Sequence, residues 1–130
     1  MSEDNKQIKI LLIDDDRFLL DMYSLKFKKS GFEIDTSSNS TDALEKLRNG
    51  NNYDILILDI IMPGMDGLGF LSTVRKEKLI SNSVIIMLTN QADDFEKAKS
   101  IGVDGYIVKA TSIPSEVVEK VSQIYKNKHK

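Results

Sequence analysis

The sequence predicts an α/β fold in which five strands alternate with five helices around an open parallel sheet. Apolar runs rich in branched side chains recur along the chain, as in strands that are covered on both faces. Segments of about 10 to 15 residues with helical periodicity separate these runs. Repeated strand-helix units of this kind favour right-handed crossovers, with helices on both faces of the sheet.

The first strand, helix and edge strand lie within residues 8–37. Residues 8–13 (IKILLI) form an apolar run that predicts a buried strand. Residues 17–29 carry apolar side chains at helical spacing, including Phe18, and Gly31 ends this helix. Residues 32–37 alternate between apolar and polar side chains, which predicts a strand at the edge of the sheet.

The second helix and third strand follow. Asn39 or Ser40 is expected to cap a helix whose inward side chains include Leu44, and Gly50 follows its end. Residues 55–58 (ILIL) are apolar and mostly branched, which predicts a strand at the centre of the sheet.

The remaining elements repeat the same order. A third helix begins near Asp66, and residues 84–88 (VIIML) predict a fourth buried strand. Apolar side chains at three-residue spacing predict a short helix over residues 95–101. Residues 105–108 form the fifth strand, and Pro114 suits the first turn of the last helix.

Carboxylates follow two of the predicted strands. Asp14 and Asp15 come directly after the first strand, and Asp59 ends the third. Because the carboxyl ends of parallel strands meet at one edge of the sheet, these side chains are expected to lie together. Such acids either raise one another's pKa values or hold a hard cation, and an oxygen cluster suits Mg²⁺. The sequence therefore predicts a magnesium site.

Two further polar side chains end strands at the same edge. Thr89 follows the fourth strand and Lys109 follows the fifth. With Asp59 beside Mg²⁺ and an ammonium group, the site could take a phosphoryl group onto the carboxylate. Two simpler interpretations stay open: Thr89 as a residue of a turn, and Lys109 as a structural counter-ion of the acids.

Composition narrows the class of protein. With 130 residues, 41% hydrophobic and 29% charged, the chain fits one domain over residues 1–130, with its core at about 8–125. The net charge of −2 argues against nucleic acid as a partner. The absence of cysteine excludes disulfides and thiolate sites. A polar start, and no apolar run approaching the ~20 residues of a membrane span, predict a cytoplasmic protein.

Four motifs carry a family resemblance. LLIDDD, LILDIIMPGMDG, IIMLTNQ and GYIVKA, in this order and at these separations, resemble the receiver domain of bacterial two-component response regulators, as in single-domain chemotaxis receivers. The resemblance covers roughly residues 8–125. It implies a flavodoxin-like sheet with strand order 2-1-3-4-5.

The resemblance also implies a role for each polar residue at the edge. Asp59 would accept a phosphoryl group from the phosphohistidine of a sensor histidine kinase or phosphotransfer protein. Asp15 and Asp59 would bind Mg²⁺ directly, Asp14 through water, and the Ile61 carbonyl would be a further ligand. Lys109 would contact the phosphoryl oxygens.

A conformational switch is implied as well. Thr89 would move toward the phosphoryl group and Tyr106 would turn inward, remodelling the face formed by helix four, strand five and helix five for an unknown downstream partner. A simpler interpretation of Tyr106 is plain packing. Such a domain is not an enzyme, because it catalyses only its own phosphorylation and dephosphorylation.

Departures from the family pattern carry their own predictions. Ala110 follows Lys109 where the family usually has a proline in a cis peptide, and a cis bond before a non-proline residue costs about 2.5–4 kcal/mol. Asn90 is expected to restrict Thr89. Ile61 and Gln91 occupy positions that tune the phosphoryl lifetime, and an apolar Ile61 predicts slow self-dephosphorylation.

Two other classes remain as alternatives. A phosphohydrolase of the haloacid dehalogenase type also uses an aspartate nucleophile at a strand end, but it needs a second acid where this chain has Ile61. A flavodoxin-like scaffold would never take a phosphoryl group. The kinase, the signal, the output target, the oligomeric state, and whether the chain is a stand-alone protein or part of a longer one stay open.

Overall fold

The computed structural model describes residues 7–60, 62, 64–89, 95–100, 102–109 and 112–128, over which strands and helices alternate. The strands are β1 (Lys9–Ile13), β2 (Glu33–Ser37), β3 (Ile55–Leu58), β4 (Val84–Thr89) and β5 (Gly105–Val108). The helices are α1 (Arg17–Lys29), α2 (Ser40–Arg48), α3 (Gly67–Lys76), α4 (Phe95–Ser100) and α5 (Pro114–Lys128).

All five strands are parallel and form one sheet in the order β2-β1-β3-β4-β5. The predicted α/β fold class, its flavodoxin-like strand order and the edge position of β2 are therefore confirmed. β1 and β3 are neighbours, and Ile13 pairs with Leu58 at their carboxyl ends. The residues that follow these two strands consequently leave the sheet side by side.

Alternate side chains of each strand enter two separate apolar layers. Leu11 and Ile13 face α2 and α3, where Phe70 is fully buried. Ile10 and Leu12 face α1 and α5 on the other side of the sheet. Burying one such side chain contributes about 1.5–3 kcal/mol, so the two layers hold the sheet and its carboxyl edge rigid.

Several predicted boundaries and faces differ from the structure. β1 begins at Lys9 and β2 at Glu33, each one residue later than predicted. In α1 the buried side chains are Leu20, Tyr23 and Phe27, whereas Phe18 and Leu25, which belonged to the predicted apolar face, are exposed. The helical period was correct, but the inward face is centred on Leu20, Tyr23 and Phe27 and not on Phe18 and Leu25.

The helix starts are held by side chains. Asn39, and not Ser40, caps α2 by accepting a hydrogen bond from the Asp42 N–H. Asp66 caps α3. At the start of α5, Ile113 has no side-chain oxygen that could cap the helix. The Glu116 carboxylate instead accepts a hydrogen bond from the Ile113 N–H.

Among the residues that the structure describes, no helix combines the length and the apolar character that crossing a bilayer requires.

Candidate functional site

Three carboxylates converge at the carboxyl edge of the sheet, as predicted. Asp14 and Asp15 follow β1, Asp59 follows β3, and one carboxylate oxygen from each lies within 4.8 Å of the others. Asp14 and Asp59 are buried, while Asp15 is exposed. A group of anionic oxygens with one exposed member matches the ligands that Mg²⁺ prefers.

Lys109 brings the end of β5 into contact with these acids. Its Nζ donates hydrogen bonds to Asp14 Oδ2 at 2.5 Å and to Asp59 Oδ2 at 2.9 Å. The side chain of Lys109 is only 7% exposed, and those of Asp14 and Asp59 are 3% and 10% exposed. A buried ammonium thus pairs with two buried carboxylates, which partly neutralises a cluster that would otherwise repel itself.

The site shifts two pKa values. Burial raises the pKa of the Asp14 carboxyl, against the lowering effect of the hydrogen bond from Lys109. Burial by itself would lower the pKa of the Lys109 ammonium, but its hydrogen bonds to Asp14 and Asp59 outweigh burial and the pKa is raised. Lys109 therefore stays charged over the physiological pH range.

Backbone hydrogen bonds fix where the acids leave the sheet. The Asp59 N–H donates to the Ile13 carbonyl at 3.2 Å and the Asp14 N–H to the Ser37 carbonyl at 3.1 Å, so the parallel pairing continues one residue beyond the strands. Asp14 Oδ1 also accepts the Asp16 N–H at 3.0 Å. Asp16 itself caps α1, because its carboxylate accepts the N–H groups of Phe18 and Leu19.

The loop between β3 and α3 is closed tightly behind Asp59. The Gly67 N–H donates to the Ile60 carbonyl at 2.7 Å. A Cβ on Gly67 would overlap the backbone carbonyl of Asp59, so a residue with a side chain could not pack here without moving the loop. Glycine at this position thus allows the start of α3 to pack directly against the backbone of Asp59.

The two predicted switch residues lie where the strand pattern put them. Thr89 ends β4, is fully buried, and pairs in register with Val108, the residue before Lys109. Tyr106 is half-buried and packs against the apolar layer that includes α3. Thr89 is thereby on the same edge as Asp59 and Lys109.

Other predicted residues fall outside the described part of the chain. These are Ile61, expected to offer a carbonyl ligand, and Ala110, Asn90 and Gln91, expected to shape the loops around the site. Lys109 itself is described, together with its hydrogen bonds to Asp14 and Asp59.

Three residues near the acids had attracted no functional interpretation in the sequence. Ser37 and Ser40 are buried, and Lys46 bonds to the end of β2. Ser37 belongs to the alternating pattern of a strand, Ser40 predicts only local capping, and a lysine on a helix predicts a solvated side chain. No motif therefore indicated their tertiary contacts.

A comparison with protein families agrees with this geometry. The model of the response regulator receiver domain matches residues 10–122. The chain belongs to this family. It is therefore a receiver domain of two-component response regulators, a family of signalling domains that accept phosphoryl groups.

Named relatives and solved structures are consistent with the assignment. The transcriptional regulatory protein SrrA of Staphylococcus aureus is 34% identical over 118 residues, which are 89% of this chain and 47% of SrrA. The response regulator TrrA of Thermotoga maritima, solved in complex with Mg²⁺-BeF, is 36% identical with a TM-score of 0.77, over 91% of this chain and 99% of TrrA. The chemotaxis response regulator CheY4 of Vibrio cholerae is 26% identical with a TM-score of 0.82, over 92% of this chain and 99% of CheY4.

The receiver domain spans about half the length of the curated relatives that it matches, from 43% of a CpxR homolog of Haemophilus influenzae to 50% of ResD of Bacillus subtilis.

Proposed function

We propose that Asp59 of this receiver domain accepts a phosphoryl group from the phosphohistidine of a sensor histidine kinase or phosphotransfer protein. The observation that carries the proposal is the contact of Lys109 with Asp59 beside Asp14 and Asp15. It combines a nucleophile, a cation for phosphoryl oxygens and a set of metal ligands at one edge of the sheet.

Asp15 and Asp59 would hold Mg²⁺ directly, Asp14 would hold it through water, and the Ile61 carbonyl would complete the protein ligands. The oxygen-only donor set and the exposed side of Asp15 support this assignment. The Mg²⁺-BeF complex of the relative TrrA supports it as well. When bound, the ion neutralises negative charge on the oxygens of the transferring group.

Transfer needs one nucleophile and two hydrogen-bond donors from the chain. A carboxylate oxygen of Asp59 attacks phosphorus, the bond from phosphorus to the histidine nitrogen breaks, and that nitrogen keeps the electron pair. Lys109 donates to the phosphoryl oxygens, for which its bond to Asp59 already positions it. Thr89 donates its hydroxyl to a phosphoryl oxygen from the end of β4.

Phosphorylation would switch the face formed by α4, β5 and α5. Thr89 moves toward the new charge and Tyr106 turns further inward, which changes the surface offered to a downstream protein partner. The half-buried state of Tyr106 against the α3 layer supports this role. We propose residues 8–125 as the folded unit, acting in the cytoplasm through protein partners without contacting nucleic acid or membrane itself.

Labelling by a small phosphodonor tests the proposal. The protein is incubated with acetyl phosphate and Mg²⁺ or with EDTA, and intact mass and peptide mapping locate the added group. We expect one phosphoryl group on Asp59, only with Mg²⁺, and none in Asp59→Asn.

A matched variant at the other end of β3 controls for the loss of an acid. Asp54→Asn removes a carboxylate that accepts the Lys9 N–H at the amino end of the sheet, and it should still be labelled. Absence of labelling in the wild type would favour the scaffold class. Continuous release of phosphate from small phosphate esters would favour a phosphohydrolase.

A further inference from the structure

The start of α2 makes a tertiary contact with the loop that follows Asp59. Ser40 is only 2% exposed, and its hydroxyl donates a hydrogen bond of 2.7 Å to the Met65 carbonyl. Because Asn39 already caps the helix, the Ser40 hydroxyl is not needed for capping. It connects α2 to the loop between β3 and α3.

This contact restrains the loop at Met65. The loop is closed at its base by the Gly67 N–H, which donates to the Ile60 carbonyl, and Asp66 caps α3. The Met65 side chain is 39% exposed, so it is only partly covered by its neighbours. The Ser40 hydroxyl therefore supplies a fixed point for the outer part of the loop that begins at Asp59.

The same helix holds the strand end beside the other acids. Lys46 Nζ donates to the Thr36 carbonyl at 2.7 Å, to Ser37 Oγ at 3.0 Å and to Asp42 Oδ2 at 2.8 Å. The Ser37 hydroxyl in turn donates to Asp42 Oδ2 at 2.7 Å. The Ser37 carbonyl accepts the Asp14 N–H, so one backbone bond separates this network from the acidic cluster.

We propose that α2 positions both halves of the acidic site, with Ser40 fixing the loop after Asp59 and Lys46 fixing the strand end beside Asp14. Three carboxylates repel one another, and outer contacts that hold the ligands in place determine how tightly they bind an ion. Ser40 and Lys46 are positioning residues and contact neither the ion nor the phosphoryl group. The inference rests on the proposed function, because binding of Mg²⁺ and labelling of Asp59 are its readouts.

A pair of serine variants separates positioning from simple stability. Ser83 Oγ donates to the Tyr53 carbonyl at 2.7 Å, a bond of the same type and length at the amino ends of β3 and β4. We compare Ser40→Ala with Ser83→Ala by titrating Mg²⁺ against amide NMR shifts, by the rate of labelling with acetyl phosphate, and by urea unfolding in EDTA.

Both serine variants should lose similar stability, but only Ser40→Ala should bind Mg²⁺ more weakly, by about three- to tenfold, and be labelled more slowly. Ser40→Thr keeps the hydroxyl and should recover part of the affinity. In the same way Lys46→Met should weaken Mg²⁺ binding. Arg48→Met should not, because it breaks an exposed ion pair between Arg48 of the same helix and Glu77 at the end of α3.

The positioning role of α2 and the proposed function can be refuted separately. If the wild type binds Mg²⁺ and is labelled, but Ser40→Ala and Lys46→Met bind the ion as tightly as their controls, the positioning role is wrong and the proposed function stands. If the wild type neither binds Mg²⁺ nor is labelled, both are overturned.

Discussion

Lys109 and Asp59 form a buried ion pair of 2.9 Å between the ends of β5 and β3, two strands separated in the sheet by β4. The same ammonium also contacts Asp14, at the end of β1. One cation thus connects the carboxyl ends of three strands. Its contribution to stability and to chemistry can be measured separately, because Mg²⁺ can replace the charge but not the hydrogen bonds to a phosphoryl group.

Lys109→Met should destabilise the protein in EDTA by about 3 kcal/mol, because two buried carboxylates lose their counter-ion. Added Mg²⁺ should stabilise the variant more than it stabilises the wild type. The rate at which Asp59 is labelled should fall at least about tenfold, because the proposed cation for the phosphoryl oxygens is missing. Urea unfolding with Mg²⁺ and with EDTA measures the changes in stability, and intact mass measures the labelling. A smaller Mg²⁺ stabilisation in the variant than in the wild type would contradict this prediction.

Asp15→Ala should have the opposite effect on the metal-free protein. Asp15 is exposed and lies beside two other acids, so its removal relieves repulsion and should stabilise the protein in EDTA by about 0.5 kcal/mol. The stabilisation by added Mg²⁺ should disappear, because a direct ligand is lost. Asp16→Ala is a contrasting variant: it removes the α1 cap, and should lower stability by about 1 kcal/mol while Mg²⁺ still stabilises it.

Gly67→Ala should disturb the site through the backbone. Its Cβ would overlap the Asp59 carbonyl, so the loop must shift, with a loss of about 1–3 kcal/mol and slower labelling. At Gly69 a Cβ would meet only the side chains of Met65 and Asp66, at 3.2 and 3.3 Å, so Gly69→Ala should lose less stability and keep the labelling rate. Equal labelling rates in the two variants would show that the Gly67 contact does not position Asp59.

The alternation of strands and helices was predictable from the sequence because its determinants are local, whereas the strand order came from the family resemblance. Branched apolar runs such as residues 84–88 indicate strands, and the helices between them force parallel pairing with crossovers. The convergence of Asp14, Asp15 and Asp59 rested on two premises. Each acid follows a strand whose carboxyl end lies at the same edge, and β1 and β3 are neighbours, which the resemblance to receiver domains implied and local patterns did not. Their roles in binding and phosphorylation stay predictions.

The contacts made by polar side chains across helices were not predictable. Ser40 looks like a capping residue, and only the tertiary structure shows its hydroxyl bonded to the Met65 carbonyl. The same holds for Lys46, which bonds to the end of β2. The exposure of Phe18 was also missed, because a helical period indicates which side chains share a face but not how much of that face is covered.

The phosphoryl group on Asp59 should persist for much longer than seconds. The residue two positions after the proposed phosphoacceptor Asp59 is Ile61, whose apolar side chain cannot orient a water molecule for attack. Loss of the label after removal of acetyl phosphate, followed by intact mass, measures the lifetime. Ile61→Glu should shorten it by introducing an acceptor for a proton of water, and a half-life of seconds in the wild type would refute the prediction.

Tyr53 should make the stability of the protein fall at alkaline pH. Its hydroxyl donates to Asp35 Oδ2 at 2.7 Å, and burial, together with this bond to an acid, raises the pKa of Tyr53. The folded protein therefore holds the proton of the Tyr53 hydroxyl more tightly than the unfolded chain does. The stability that this hydroxyl contributes is complete below the ordinary tyrosine pKa of about 10, and it declines as pH rises above that value.

Tyr53→Phe separates this titration from general alkaline unfolding. The variant should lose about 1 kcal/mol at neutral pH, the usual value of one hydrogen bond, and its stability should decline less steeply above pH ~10. Urea unfolding from neutral to alkaline pH provides both quantities, and absorbance near the tyrosinate band counts the tyrosines that ionise. Because Tyr53 lies at the amino end of β3, away from Asp59, labelling of the variant at neutral pH should match the wild type. Parallel alkaline profiles in the two proteins would show that Tyr53 is not the group responsible.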